Sequence, residues 1–226
     1  MNTAPRLRLL VALFIFAASL AGCIGGAPPV SRLEFASGDI ENGELPIGKE
    51  GSALVGVVAR NESGAEVDID GSEFTWESED ANVLEVHGLG TAALITGKID
   101  WFDSYPADGD PATAHEPHAN LVVIYHAGQS DEIRATIPVA VVLNGAGSWR
   151  ASISGLGDQV LTLDQRGRHV SYSGTTGDAS GAIEGNLFTL SQQGFILTGT
   201  FTSRTEVSGT YTGPGDISGT WTATRE

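Results

Sequence analysis

A chain of 226 residues with 28 Asp and Glu against 12 Lys and Arg carries a formal charge of −16, and such a surface repels phosphate backbones and anionic headgroups, which excludes nucleic acid and polybasic membrane docking. Thirty glycines, a single methionine and a single cysteine, with almost no stretch of 3.6-residue apolar period, exclude a helical build and an internal disulfide. The length suits one larger or two smaller domains, and a change of texture along the chain favours two.

At the N-terminus, Arg6 and Arg8 precede an apolar run from Leu9 to Ala18 and then Leu20-Ala21-Gly22-Cys23. This layout predicts a signal peptide over residues 1–22. The run is shorter than the roughly 18 residues of a spanning helix, and Gly/Pro-rich sequence follows at once. Residues 1–22 hold two arginines and no acid, so the mature chain is expected to carry −18. The last four residues resemble the lipobox of bacterial lipoproteins at every position. That resemblance implies a diacylglyceryl thioether on Cys23, cleavage ahead of it and further acylation, with palmitate-like chains, of the freed amine. Two or three chains hold a protein on a membrane, where one gives only marginal binding. The lone cysteine agrees, because exported chains normally use cysteines in pairs; an ordinary cleaved signal with a free thiol is the alternative. Ile24, in place of Asp, implies the outer membrane in a Gram-negative host. Residues 23–30 then form a lipidated tether stiffened by Pro28 and Pro29.

Residues 31–143 contain apolar or alternating runs bounded by Gly, Asn and Asp: Ala53 to Ala59, Phe74 to Trp76, Val83 to Val86, Ala92 to Ile95, Leu121 to Tyr125 and Ile133 to Val142. Their length and spacing predict the strands of a β-sandwich. Pro138 cannot donate to a ladder, which places its strand at an edge or a bulge. The stretch from Phe74-Thr75-Trp76 through Ser78-Glu79-Asp80 to Val83-Leu84-Glu85-Val86, continued by Ala119 to Tyr125, resembles bacterial immunoglobulin-like domains of the Big family. The resemblance implies an immunoglobulin-like sandwich serving as spacer, adhesion module or domain partner. Its departure is the connection Lys98 to His118, longer than the family's. That segment holds Asp100, Asp103, Asp108, Asp110, His115, Glu116 and His118 among Trp101, Phe102 and Tyr105. Carboxylates with paired imidazoles are divalent-cation ligands, so the loop is a candidate metal site; an acidic solvated loop is the plainer reading. The spacing fits neither an EF-hand nor His-Glu-x-x-His, and Pro117 forbids a helical His pair.

From Gly147 to residue 226 the texture becomes strict alternation of Ser or Thr with apolar residues. Units such as Leu197-Thr198-Gly199-Thr200-Phe201, Val207-Ser208-Gly209-Thr210-Tyr211 and Ile217-Ser218-Gly219-Thr220-Trp221 recur at one strand plus one turn. About eight strands result, the number at which a barrel closes around side chains or a small ligand. Gly147 to Ala151 and Gly219 to Ala223 are near copies suited to pairing as first and last strands. Gly147-x-Trp149 with Arg225 resembles the lipocalin and wider calycin pattern, which implies that Trp149 and Arg225, with Trp221, are closure residues and not ligand residues.

No nucleophile elbow, zinc-protease helix, phosphate loop or dinucleotide fingerprint is present, and His87, His126 and His169 lack a matched nucleophile. The pairs Asp68 with Asp70 and Glu77 with Glu79 each point to one strand face, as solvated acidic faces do. The expectation is a non-catalytic, lipid-anchored cell-envelope protein, needing no cofactor beyond its lipid, that binds an envelope protein, a glycan or a small ligand. The alternatives are a calycin-like carrier of a small apolar ligand and a metal-assisted hydrolase using the 100–118 loop.

Overall fold

The computed structural model describes residues 29–104, 115–174 and 177–226; Cys23 with its signal segment, Tyr105, Asp108 and Asp110 lie outside these. The chain is all-β. Among the described residues, nine strands precede residue 143: β1 (Arg32–Ala36), β2 (Leu45–Gly48), β3 (Ser52–Arg60), β4 (Glu66–Val67), β5 (Phe74–Ser78), β6 (Leu84–Gly88), β7 (Ala92–Gly97), β8 (His118–Tyr125) and β9 (Ile133–Val142). Eight follow: β10 (Gly147–Ile153), β11 (Gly157–Arg166), β12 (His169–Gly174), β13 (Gly177–Glu184), β14 (Leu187–Gln192), β15 (Phe195–Ser203), β16 (Glu206–Gly213) and β17 (Ile217–Arg225).

The first nine form an immunoglobulin-like sandwich of two sheets, one ordered β1-β3-β7-β6 with β4 also on β3, the other β2-β9-β8-β5. Period-two patterning sets the inner faces: Val55, Val57 and Ala59 of β3 are buried, as alternation on a half-covered sheet requires. Trp76 fills the space between the sheets, edge-on to Phe35 at 6.2 Å, and its indole N–H donates to the Gly90 carbonyl at 2.7 Å. The entering chain serves both sheets, because β1 pairs antiparallel with β3 whereas β2 pairs parallel with β9. β2 covers β9 only from Val139 onward, so Pro138 occupies the last position with an open edge beside it. The missing N–H therefore leaves no ladder bond unmade there.

Strands β10 to β17 close in sequence order into an antiparallel barrel. Its first and last strands pair with Trp149 opposite Arg225 and Ala151 opposite Ala223. In each repeated unit the hydroxyl residues face out and the glycine faces in. Gly199, Gly209 and Trp221 share one cross-strand row, and a Cβ on Gly199 would stand 2.6 Å from the indole. Gly199 thus vacates the room that the largest side chain fills, and the indole N–H is shared by the carbonyls of Thr198 and Thr210, each 3.1 Å away. Phe188 and Phe201 complete the aromatic middle of the barrel at 5.6 to 6.1 Å spacings, the geometry that ring quadrupoles favour.

Candidate functional site

An up-and-down barrel sends alternate hairpins to opposite ends, and here the two ends have different jobs. The turns β11–β12, β13–β14 and β15–β16 meet the sandwich. Gly167 and Gly185 make the first two possible: both have positive φ (56° and 59°), and a Cβ would fall 2.9 Å from Pro46 and 2.8 Å from the Trp101 ring. Only glycine meets both demands at once. Phe102 of the sandwich packs against the buried barrel core, which also contains Leu143. Between the domains, Gln165 clamps the linker by accepting from the Gly145 N–H at 2.6 Å and donating to the carbonyls of Leu143 and Gly167 at 2.9 and 2.8 Å. Arg225 lies 5.7 Å above the Trp149 ring and donates to the carbonyls of Asn144 and Ala146.

Of the residues singled out as candidate metal ligands, Asp100, Asp103, Glu116 and His118 sit at this junction, divided into two ion-pair clusters, and Asp108 and Asp110 lie outside the described residues. In the first, Asp100 is 1% exposed; its carboxylate accepts from the backbone N–H of Phe102 at 3.0 Å and from Arg204 at 2.8 and 3.0 Å. Asp103 accepts from Lys49 at 2.7 Å, from the Asp100 N–H at 2.9 Å and from Arg204 at 2.6 Å. Burial pushes the Asp103 carboxyl up, but the hydrogen bonds from Lys49, the Asp100 amide and Arg204 outweigh it and hold the carboxyl at about 2. The bonds Arg204 donates to the two carboxylates, led by those to Asp100, outweigh its burial and push the guanidinium further above its usual range.

In the second cluster, Glu116 accepts from Arg168 at 2.6 Å and from the Gly185 N–H at 2.7 Å, while Glu44 accepts from Arg168 at 2.8 Å. His118 reaches Glu44 at 3.0 Å and the Glu116 carbonyl at 2.6 Å. His115 accepts the Ser104 hydroxyl at its carbonyl, 2.6 Å away. Oxygens that would serve a cation are therefore occupied by arginine, lysine and amide donors, and among the described residues no three His, Cys, Asp or Glu side chains converge as a metal-binding group. The described ends of the Lys98 to His118 segment, through Asp100, Phe102, Asp103 and Glu116, contact the barrel.

The opposite end of the barrel is open. Between the hairpins β10–β11, β12–β13, β14–β15 and β16–β17 lies a cup of about 340 Å³, lined by Ile153, Leu156, Gln159, Leu161, Tyr172, Leu190, Gln192, Gln193, Phe195, Leu197 and Tyr211. None of these side chains is charged. Tyr172 on β12 and Tyr211 on β16 stand half a turn apart around the eight-stranded wall, and Tyr211 is fixed by donating to the Ser154 carbonyl at 2.6 Å. Sequence reading singled out none of these residues; the missing signal was which hairpins dock and which stay open.

The remaining histidines also face carboxylates, and His169 does so across the junction. His87 lies 3.2 Å from Glu85, His169 is 3.2 Å from Glu41, and His126 is 2.7 Å from Asp131 and 3.6 Å from Glu73. Of the carboxylate pairs, Asp70 caps a short 3₁₀ turn through the Ser72 N–H, which lowers its pKa, and Glu79 accepts from Asn120 at 2.8 Å. These contacts order turns and strands.

No family model and no curated protein matches the chain. Among solved structures, the chain is similar to pieces of the S-layer protein SbsC. With domains 5-6 it shares 9% identity at a TM-score of 0.36, over 88% of this chain and 85% of that one. With domains 4 and 5 it shares 17% identity at 0.32, over 87% and 86%. With domains 4-9 the values are 11% and 0.35, covering 88% of this chain and 27% of that longer piece.

Proposed function

We propose that this is a non-catalytic, lipid-tethered protein of the cell envelope whose sandwich stands between the anchored N-terminus and the barrel, and whose barrel binds through its open cup. The observation that carries the binding half is the contrast between the barrel's ends. One is plugged by Phe102 and Leu143 and tied down by arginines, and the other keeps an uncharged cavity of about 340 Å³. A volume in the range of small-molecule sites, roughly 300 to 1,000 Å³, favours a carrier of a small ligand over a docking site for a macromolecule. Residues 24–226, which hold both domains whole, should bind the uncharged fluorophore N-phenyl-1-naphthylamine saturably. Leu197→Trp, which fills the cup from β15, should reduce that binding at least tenfold with an unchanged melting temperature. Absence of saturable binding by the folded protein would sink the reading.

The anchor rests on the lipobox residues Leu20 to Cys23. Material from the native host is expected to carry a diacylglyceryl adduct by intact mass, and Cys23→Ser to move the protein from membrane to soluble fractions or leave it unprocessed. Unmodified Cys23 in membrane-bound protein would refute the tether.

A further inference from the structure

We infer that the cup selects a small organic cation: an apolar body carrying a substituted ammonium or a similarly soft, delocalised positive head. The inference rests on the reading of the cup as the binding site and is independent of the lipid anchor.

Charge around the barrel is sorted by end. Residues 147–226 contain seven carboxylates and five arginines. Arg166, Arg168 and Arg204 pair with Asp39, with Glu44 and Glu116, and with Asp100 and Asp103 of the sandwich; Arg225 caps the linker carbonyls, and Arg150 pairs with the terminal Glu226. Among the described residues, no lysine or arginine is therefore left at the open end. Three carboxylates stand there instead. Asp158 follows the β10–β11 turn, Asp178 is the second residue of β13, and Asp216 lies in the β16–β17 turn with φ 61°. All three are exposed, and none makes an ion pair among the described residues.

Below this acidic rim, Tyr172, Phe195 and Tyr211 line the cup from three strands. A cation descending from the rim meets aromatic rings whose quadrupoles can attract it, with the largest gain for weakly hydrated heads that lose little on leaving water. An anion is opposed by the rim and finds no donor charge inside, and an uncharged ligand gains only the burial of its body. A compact ion such as ammonium or sodium would forfeit its hydration without filling the aliphatic wall of Leu161 and Leu197. The site thus combines long-range attraction for positive charge with a short-range preference for apolar bulk.

Three shape-matched probes separate the possibilities on residues 24–226: benzyltrimethylammonium, neopentylbenzene and benzylsulfonate, each measured by displacement of N-phenyl-1-naphthylamine. The expected order is cation, then uncharged probe, then anion, with about a tenfold gap at the first step, as a desolvated cation–π contact supplies. Tyr172→Leu should remove most of that gap while retaining the uncharged probe. Joint replacement Asp158→Asn, Asp178→Asn and Asp216→Asn should weaken the cation roughly threefold and flatten its salt dependence. Circular dichroism confirms that each variant is folded. Equal or weaker binding of the cation relative to its uncharged match overturns the inference and leaves the cup as a binding site. Failure of the fluorophore itself to bind overturns the cup reading beneath it.

Discussion

Arg204→Met is expected to destabilise the protein by about 3 kcal/mol and to split one cooperative urea transition into two. Asp100 is 1% exposed, and Arg204 supplies two of the hydrogen bonds to its carboxylate; without the guanidinium a buried negative charge keeps only backbone donors. Breaking a buried pair from one side costs roughly 3 to 5 kcal/mol, and the lower end applies because Arg204 itself is 44% exposed. Arg204→Lys should recover only part, since an ammonium cannot span Asp100 and Asp103 with a planar fork. Acid titration gives the second readout. Asp103 is held at about 2 against a usual 3.8, so its contribution is complete above the usual carboxylate range and is lost as pH falls through that range toward 2. Arg204→Met should flatten this part of the stability curve. A loss below 1 kcal/mol, or an unaltered acid limb, would mean that the junction is held by packing and not by charge.

Gly209→Ala should prevent the barrel from closing, with a loss above roughly 4 kcal/mol, whereas Gly215→Ala should cost only about 1 kcal/mol. A Cβ on Gly209 would lie 1.9 Å from the Thr198 carbonyl oxygen and 2.5 Å from the Gly199 Cα. Both neighbours are backbone, so relief requires the β15–β16 ladder itself to separate. Gly215 has the less common φ of 72°, yet nothing lies within 4 Å of its Cβ position, and backbone strain alone remains. Thermal unfolding of the two variants side by side tests the contrast. Rescue of Gly209→Ala by Trp221→Ala would contradict it, because the indole would then be the obstacle in place of the backbone.

All eight barrel strands and the pairing of the Trp149 and Trp221 segments were legible, because Ser/Thr alternation and inward glycines repeat with the period of a pleated sheet. The strands β1, β2 and β4 were not. β4 is two residues long, β2 contains Pro46 and pairs in parallel, and Arg32 to Ala36 is too short for its alternation to stand out. Asp100, Asp103, Glu116 and His118 were legible as a notable cluster, but their role was not. The arginine that neutralises Asp100 lies 104 residues away, and the one on Glu116 lies 52 away. Both project from hairpin turns whose placement depends on how the barrel closes. Residue type announces that charge must be compensated; only tertiary packing decides whether a metal or a guanidinium does it.

The sorting of hairpins by end has a consequence for how this scaffold can diversify. Changes in length or content at Ser154 to Leu156, Gln193 to Gly194 or Pro214 to Asp216 leave Arg168, Gly185 and Arg204 where they are, so a new specificity can be grafted onto one face of the molecule without renegotiating its assembly.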